Sequence, residues 1–589
     1  LPELHAAAGA MARGTGPAAK PHARSVPPAP APERAMAGWR GAVYPGAVFT
    51  IWITDRNMMA SRRALLAGSA AAAFAMTHSR WAEAQSPSGV IVFAKQIDDL
   101  ISLDPGECFE YTGSEICGNV YQKLVTTPNS NPSQLVGELA EKWEASEDGK
   151  TFTFTLREGP KFASGKPVTA EDAAWSLQRA VILNKSPAFI INQFGYTKDN
   201  VAQMIRATGP RTLVMQTAQE TAPTFLLYCL SAVVGNVVEK AVAMSHEQNG
   251  DLGNAWLKQN SAGSGPYAVR AWRASDSVTL EANPNSTVAP KTKRVILRHM
   301  PDPSAQMLGL QRGDIDIARN LSSDQIRQTK ADSSFKVQSQ RKASLLYVAM
   351  NQKHPILSKP EVRQAIKMAI DYDGIQKNIV PDLYAVHQAF LPEGLPGALT
   401  DKPFRHQIAE AKALLAKAGH ADGFEITFDY ASVSPISDIA QAIQANLAEI
   451  GIRVRMLPAE QRQVLTRVRA RQHEISMSRW GSDYFDPNSN AETFAVNTDN
   501  SDDARNRTSA WRSSWLIPEY SAQVVAAAKE RDPAKRTEIY LKLQKELQEH
   551  GPFAFVLQEI EVSVSRKGVS GFDMGPMNDR HRYVEIVKA

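Results

Sequence analysis

Three cysteines in 589 residues (Cys108, Cys117, Cys229) are too few for a disulfide-stapled scaffold, and none stands in a CxxC metal pair. Cys108 and Cys117 admit either a disulfide or two free buried thiols. Signatures of catalysis are missing as well. There is no GxxxxGK[ST] phosphate loop and no HExxH among the 12 scattered histidines. There is no GxSxG nucleophile turn either, since Gly263-Ser264-Gly265-Pro266 is a different pattern. These absences leave P-loop nucleotide hydrolysis, zincin proteolysis and nucleophile-elbow acyl transfer without support. A hydrolase working through two carboxylates stays open, because pairing in space does not show in one chain. Internal repeats at periods of 20–50 residues are also absent.

A real excess of one charge is missing too. The formal net charge is +5, but nine Lys/Arg against four acids in residues 1–84 account for all of it. The remaining 505 residues carry 57 basic and 57 acidic side chains. The pI near 8.8 therefore gives no argument for a nucleic-acid partner.

Residues 1–57 are rich in Ala, Pro, Gly and Arg, without sustained periodicity. They read as translated sequence upstream of a true start at Met58 or Met59, or as a natural disordered extension. Residues 58–84 read as an export signal. Ser61-Arg62-Arg63 is a charged start, Ala64–Met76 a 13-residue apolar stretch, and Ala82-Glu83-Ala84 a small-x-small cleavage site. Thirteen helical residues span only about 20 Å, short of a bilayer core. The paired arginines resemble a twin-arginine signal, although Leu65 stands where that motif favours Phe; the Sec route is the alternative. Cleavage after Ala84 leaves a chain starting at Gln85, exported to the periplasm. No later segment has 18 uninterrupted apolar residues, so the mature chain reads as soluble.

The body alternates strand and helix signals. Trp143 and Ala145, then Glu147–Lys150, then Phe152, Phe154 and Leu156 spell a hairpin with Gly149 in its turn. Thr169-Ala170-Glu171-Asp172 caps a helix. Ser358-Lys359-Pro360-Glu361 reads as a capping box opening a helix whose apolar face is Val362, Ala365, Ile366, Ala369 and Ile370. Ile436, Ile439, Ala440, Ile443, Leu447 and Ile450 form a further stripe stopped by Gly451, before the alternating Ile452, Val454 and Met456. The strand–helix–strand order of 340–480 indicates an α/β fold; the earlier part is richer in hairpins.

Several segments, in order, resemble the family 5 extracellular solute-binding proteins of ABC importers for oligopeptides, dipeptides and related solutes. They include Ser102-Leu103-Asp104-Pro105, Leu139–Trp143, Phe154-Thr155-Leu156-Arg157, Val168–Asp172, Ser264-Gly265-Pro266-Tyr267, Leu310–Asp316, Val362–Ile366 and Trp480–Pro487. The resemblance covers nearly all of residues 90–560. It implies a two-lobed periplasmic-binding-protein clamshell, type II-like, with an extra subdomain in lobe I. The expected division is lobe I at 88–125, 263–347 and 554–589, the subdomain at 126–262 and lobe II at 348–553. Hinges are expected near Val348–Asn351 and Phe553–Leu557. A monomer that binds its solute without cofactor or metal and hands it to a membrane permease with a cytosolic ATPase is implied; an exported hydrolase of peptides or glycosides is the alternative.

The same resemblance nominates a site. In peptide-binding relatives the Asp of WxxDY grips the ligand's α-amino group, and that residue here is Asp483. Arg479, Trp480 and Gly481 match the extended stretch that bonds the peptide backbone, and Phe109, Glu110 and Tyr111 match the facing stretch in lobe I. Dipeptide-specific relatives clamp the ligand carboxylate with an Arg from a lobe II loop. The matching loop, 429–437, has none, and Ser434 falls near that place. Glu110 adds negative charge, favouring a short peptide or another amine-bearing solute.

Overall fold

A computed structural model describes residues 89–504 and 506–589. The 1–57 segment and the export signal with its cleavage point lie outside the described residues. The strands of the largest sheet are β1 (Val90–Lys95), β2 (Tyr267–Arg273), β3 (Ser277–Ala282), β4 (Arg294–His299), β5 (Ile317–Ala318), β6 (Phe335–Met350), β7 (Tyr384–Val386), β8 (Phe424–Ala431), β9 (Ile452–Ala459), β10 (Ile475–Gly481) and β11 (Phe553–Arg566). The helices needed below are α1 (Tyr111–Val120), α2 (Ala170–Leu183), α3 (Pro360–Ala369), α4 (Ile436–Glu449), α5 (Pro487–Ala495) and α6 (Pro533–His550).

The sheet runs β9-β8-β10-β6-β11-β5-β1-β4-β3-β2, with β7 also paired to β11. Its middle is the antiparallel ladder of β6 and β11, which crosses from one lobe to the other. The first half of β6, Phe335–Arg341, pairs with Ile560–Arg566, and β11 there also borders β5 of lobe I. The second half, Ser344–Met350, lies between β10 and Phe553–Gln558 of β11. The register shifts between Arg341 and Leu345 and again between Leu346 and Tyr347. These irregularities, where a strand bends and twists more strongly, lie before the crossing expected at Val348.

Lobe II is α/β as the strand–helix–strand order indicates: β8 is parallel to both β9 and β10. The stripes of α3 and α4 meet beneath this sheet. Val362, Ala365, Ile366, Ala369, Ile370, Ile439, Ile443 and Leu447 are all buried in one core cluster. Each large apolar side chain so buried contributes about 1.5–3 kcal/mol relative to exposure. One start signal resolves differently. Ser358 does not cap α3; its hydroxyl donates to the Pro355 carbonyl. Pro360 is the first helical residue, as its fixed φ favours, so Lys359 takes the capping place with no oxygen to offer.

The extra subdomain holds a four-stranded antiparallel sheet (Ala140–Ala145, Thr151–Leu156, Thr212–Gln216, Ile205–Ala207) against α2. Trp143 faces Phe154 across the hairpin, and Gly149 takes φ +64° in its turn. Thr169 Oγ1 accepts from the Asp172 N–H while the Asp172 carboxylate accepts from the Thr169 N–H, the reciprocal cap that fixes the start of α2. Tyr484 of lobe II is buried in this subdomain's core, its ring 6.0 Å from Phe225.

Next to it, Asp486 is fully buried. Besides accepting from the Asn488 N–H at the start of α5, it takes both ends of the Arg536 guanidinium from α6, at 2.6 Å each. Among the described residues no helix is long and apolar enough to cross a membrane. Because breaking one side of a buried charge pair leaves the other uncompensated, Asp486→Asn is expected to cost about 3–5 kcal/mol. Urea unfolding at neutral pH checks this; a change under about 1 kcal/mol would refute it.

Candidate functional site

The two nominated segments come together. Phe109, Glu110 and Tyr111 form the lip ahead of and into α1. Arg479, Trp480 and Gly481 end β10, and Asp483 follows them. All seven line one cavity of about 420 Å³, closed on the subdomain side by Pro187, Ile190, Val233 and Val234. Ser434 does not line it. Beyond the end of β8, its hydroxyl donates to Asp438 at 2.8 Å, ahead of α4 and exposed.

Alternation along β10 places the wall. Trp480, opposite Leu345 of β6, packs edge-on against Phe494 of α5, ring centroids 6.2 Å apart. It therefore helps fix α5 to the sheet as well as bordering the cavity. Arg479 lies over the Tyr111 ring at 4.9 Å and approaches Glu559 at 3.7 Å. This stacked cation joins the lobe I lip to the end of β10. At Gly481 a side chain would meet the Tyr111 hydroxyl at 3.0 Å, so glycine permits this close approach. β10 also outruns its neighbour: β8 pairs only with Ile475 and Ser476, leaving that edge of 477–481 without a strand partner.

The chain turns after Gly481 under side-chain control. The Ser482 N–H donates to the Ala343 carbonyl, the Ser482 hydroxyl to Asn490, and the Asp483 N–H to the Ser489 hydroxyl at 2.8 Å. Asp483 is thus held by its backbone. Among the described residues no group donates to its carboxylate and no cation lies within ion-pair distance. Burial pushes this carboxyl up to about 8, with the Glu492 carboxylate adding to the effect and Arg512 opposing it.

A second cavity of about 320 Å³ shares Asp99, Tyr111, Arg479, Gly481, Met577 and Asn578 with the first. Its floor is a charge cluster that no local signal in the sequence marks. Glu115 accepts from Lys95 at 2.7 Å and Arg319 at 2.8 Å, and Glu561 pairs with Arg319, Lys342 and His581. Against the effect of burial, Arg319 and Lys95 hold the Glu115 carboxyl far below its usual range. Burial, then Lys342, pushes His581 down to about 4. Cys108, on the wall of the larger cavity, and Cys117 are free buried thiols. Their mutual hydrogen bond and burial raise the Cys108 pKa. The described residues contain no group of three or more His, Cys, Asp or Glu arranged to hold a metal.

The Asp483 environment fixes a pH dependence. Unfolded, this carboxyl ionises near 3.9; folded, near 8, so the folded chain retains a proton across that window. Its contribution to ligand-free stability is full below pH 4 and is lost as pH rises through 8. Thermal unfolding should show Asp483→Asn and the unchanged protein melting together at pH 4, with the variant increasingly the more stable up to pH 8. A constant difference across that range would refute the assignment.

Comparison with known proteins places this geometry. Residues 134–502 match the model for bacterial extracellular solute-binding proteins, family 5. A probable D,D-dipeptide-binding periplasmic protein of Escherichia coli K12 is 28% identical over 502 residues, 84% of this chain and 93% of its own. The periplasmic oligopeptide-binding protein of Salmonella typhimurium is 25% identical, over 88% of this chain and 96% of its own. Among solved structures, the ABC transporter-associated periplasmic binding protein DppA from Helicobacter pylori in complex with the peptide STSA superposes with a TM-score of 0.72. It is 24% identical, covering 85% of this chain and 98% of its own, and confirms the two-lobed fold. The family works by binding substrates for transport, which leaves the hydrolase alternative unsupported. The match spans well over half of the sequence, and the chain belongs to the bacterial extracellular solute-binding proteins of family 5.

Proposed function

We propose that this protein captures a short peptide or a related amine-bearing solute between Phe109–Tyr111 and Arg479–Asp483, acting as a monomer that delivers it to an ABC permease. The observation that carries the reading is the Asp483 carboxylate. It lines the cavity, is sheltered enough for its ionisation to be displaced upward, and lacks a partner among the described residues. A buried carboxylate of this kind is stabilised by a cation that arrives with the ligand. An α-ammonium beside it would favour the ionised form, so the proton that the empty cavity retains is released to solvent and the cation pairs with the carboxylate.

The unpaired edge of Met477–Gly481 supports a peptide in particular. An extended ligand laid along it would bond main chain to main chain, a mode that accepts varied side chains. Relatives that bind dipeptides and oligopeptides agree with this choice.

Calorimetry with a panel of di- and tripeptides tests the reading. The expected result is binding with recovery of unchanged peptide and an affinity that weakens below pH 8. Asp483→Asn should lose about 2–5 kcal/mol, or roughly 30- to several-thousand-fold in Kd. Peptide affinity unaltered by that substitution would overturn the assignment of Asp483.

Export fits the same role. We read Arg62-Arg63 as a twin-arginine signal cleaved after Ala84, placing the mature chain in the periplasm. Replacing both arginines by lysine should block export; a chain still exported and cleaved would instead be using the Sec route.

A further inference from the structure

The ammonium at Asp483 leaves the opposite wall of the cavity unexplained. Glu110 lines it from the lobe I lip. Its carboxylate accepts from the Phe109 N–H at 3.2 Å, and among the described residues no Lys, Arg or His lies within ion-pair distance of it. Asp99 stands on the same wall, accepting from the Thr112 N–H at 2.9 Å. A fourth acid on this cavity, Asp579, is neutralised by the buried Lys123. Among the described residues the single cation on the wall is Arg479, already engaged by Glu559 and the Tyr111 ring. Asp99, Glu110 and Asp483 thus face one cavity where the described residues offer no free cation to balance them.

An open cavity full of water tolerates this. A closed one does not, because carboxylates stripped of water need charge partners. One α-ammonium balances one carboxylate, Asp483, and leaves Glu110 without a counter-charge. The lining that Glu110 and Asp483 share includes the apolar side chains of Phe109, Ile190, Val233 and Val234. Such a floor suits the methylene stem of a long basic side chain, whose body packs on apolar surface while its head finds a charge. Burial, with Asp99 and Glu107 contributing, raises the Glu110 pKa, as expected of an acid kept short of a partner.

We propose that the preferred ligand carries a second positive charge: a short peptide with a lysine, arginine or similar basic side chain, its α-ammonium on Asp483 and its side-chain cation against Glu110. This deepens the peptide reading above and rests on it. The proposed function puts a solute in this cavity; the acids select which.

The test is calorimetry at pH 7.5 with Ala-Ala, Lys-Ala, Ala-Lys and Ala-Glu. At least one lysine peptide should bind roughly ten-fold or more tighter than Ala-Ala, with Ala-Glu the weakest. Glu110→Gln should bring the ratio of lysine-peptide to Ala-Ala affinity close to one, and Glu110→Asp, which keeps the charge, should retain part of that ratio. Melting curves of both ligand-free variants verify that they fold. If Ala-Ala matches the lysine peptides, or Glu110→Gln weakens neutral and basic peptides alike, the basic preference is wrong and the peptide reading stands. If none of the four binds, both fall together.

Discussion

The ladder between β6 and β11 is the constraint on which the rest of the structure depends. Two strands of 16 and 14 residues run side by side from one lobe into the other, so a paired stretch of continuous backbone ties the lobes together. Lobe I builds outward from β11 through β5 and β1, and lobe II from β6 through β10 and β8. Since β10 is docked on β6, Arg479, Trp480 and Gly481 take their positions from this ladder. The register breaks after Arg341 and Leu346 disturb it close to the Ser344–Gly481 pairing, which brings the binding wall beside the least regular part of the sheet.

Charge is the second organising theme, and the molecule treats it in two ways. Deep pairs are closed on themselves. Asp104 takes Arg179 at both oxygens, Asp486 takes Arg536, and Glu115 takes Lys95 and Arg319. These pairs fix how distant parts of the chain pack, since each loses strongly if one partner is removed. Asp483 and Glu110, on the cavity, have no cation within ion-pair distance among the described residues. Asp483 has its backbone tied down by Ser489 while its carboxylate stays free of any donor among the described residues. Rigid placement combined with a carboxyl that no donor satisfies is the arrangement expected of a group whose partner comes from outside.

How much of this was legible in the sequence follows the range of each interaction. The hairpin around Gly149 and the Thr169 cap depend on residues a few positions apart, so alternation and capping chemistry reveal them. The Ser358 cap misleads because Pro360 claims the first helical position and shifts the boundary by one residue. The Asp104–Arg179 and Glu115–Arg319 pairs join residues 75 and 204 positions apart, and the Asp486–Arg536 pair spans 50; a single chain gives no sign of them. In the site, family resemblance put Phe109–Tyr111 opposite Arg479–Asp483, and the structure places these segments on one cavity. The same transfer carried Ser434, which the fold sets elsewhere, past the end of β8 with its hydroxyl donating to Asp438 ahead of α4. Asp99, Met577 and Asn578 lie on the cavity without any motif around them, delivered there by the path of the chain.

Tyr484 adds a consequence for release. The residue after Asp483 is sunk in the subdomain's own core beside Phe225, so the cleft cannot open as a simple parting of two lobes. Either the subdomain travels with the end of β10, or the tyrosine ring is withdrawn into water at a cost of about 1.5–3 kcal/mol. In the second case the ring is a latch set in the backbone next to Asp483, the proposed ligand anchor. Escape of bound solute is then slowed by an aromatic that never touches it, and the dwell time of the loaded state belongs partly to the scaffold rather than to the ligand.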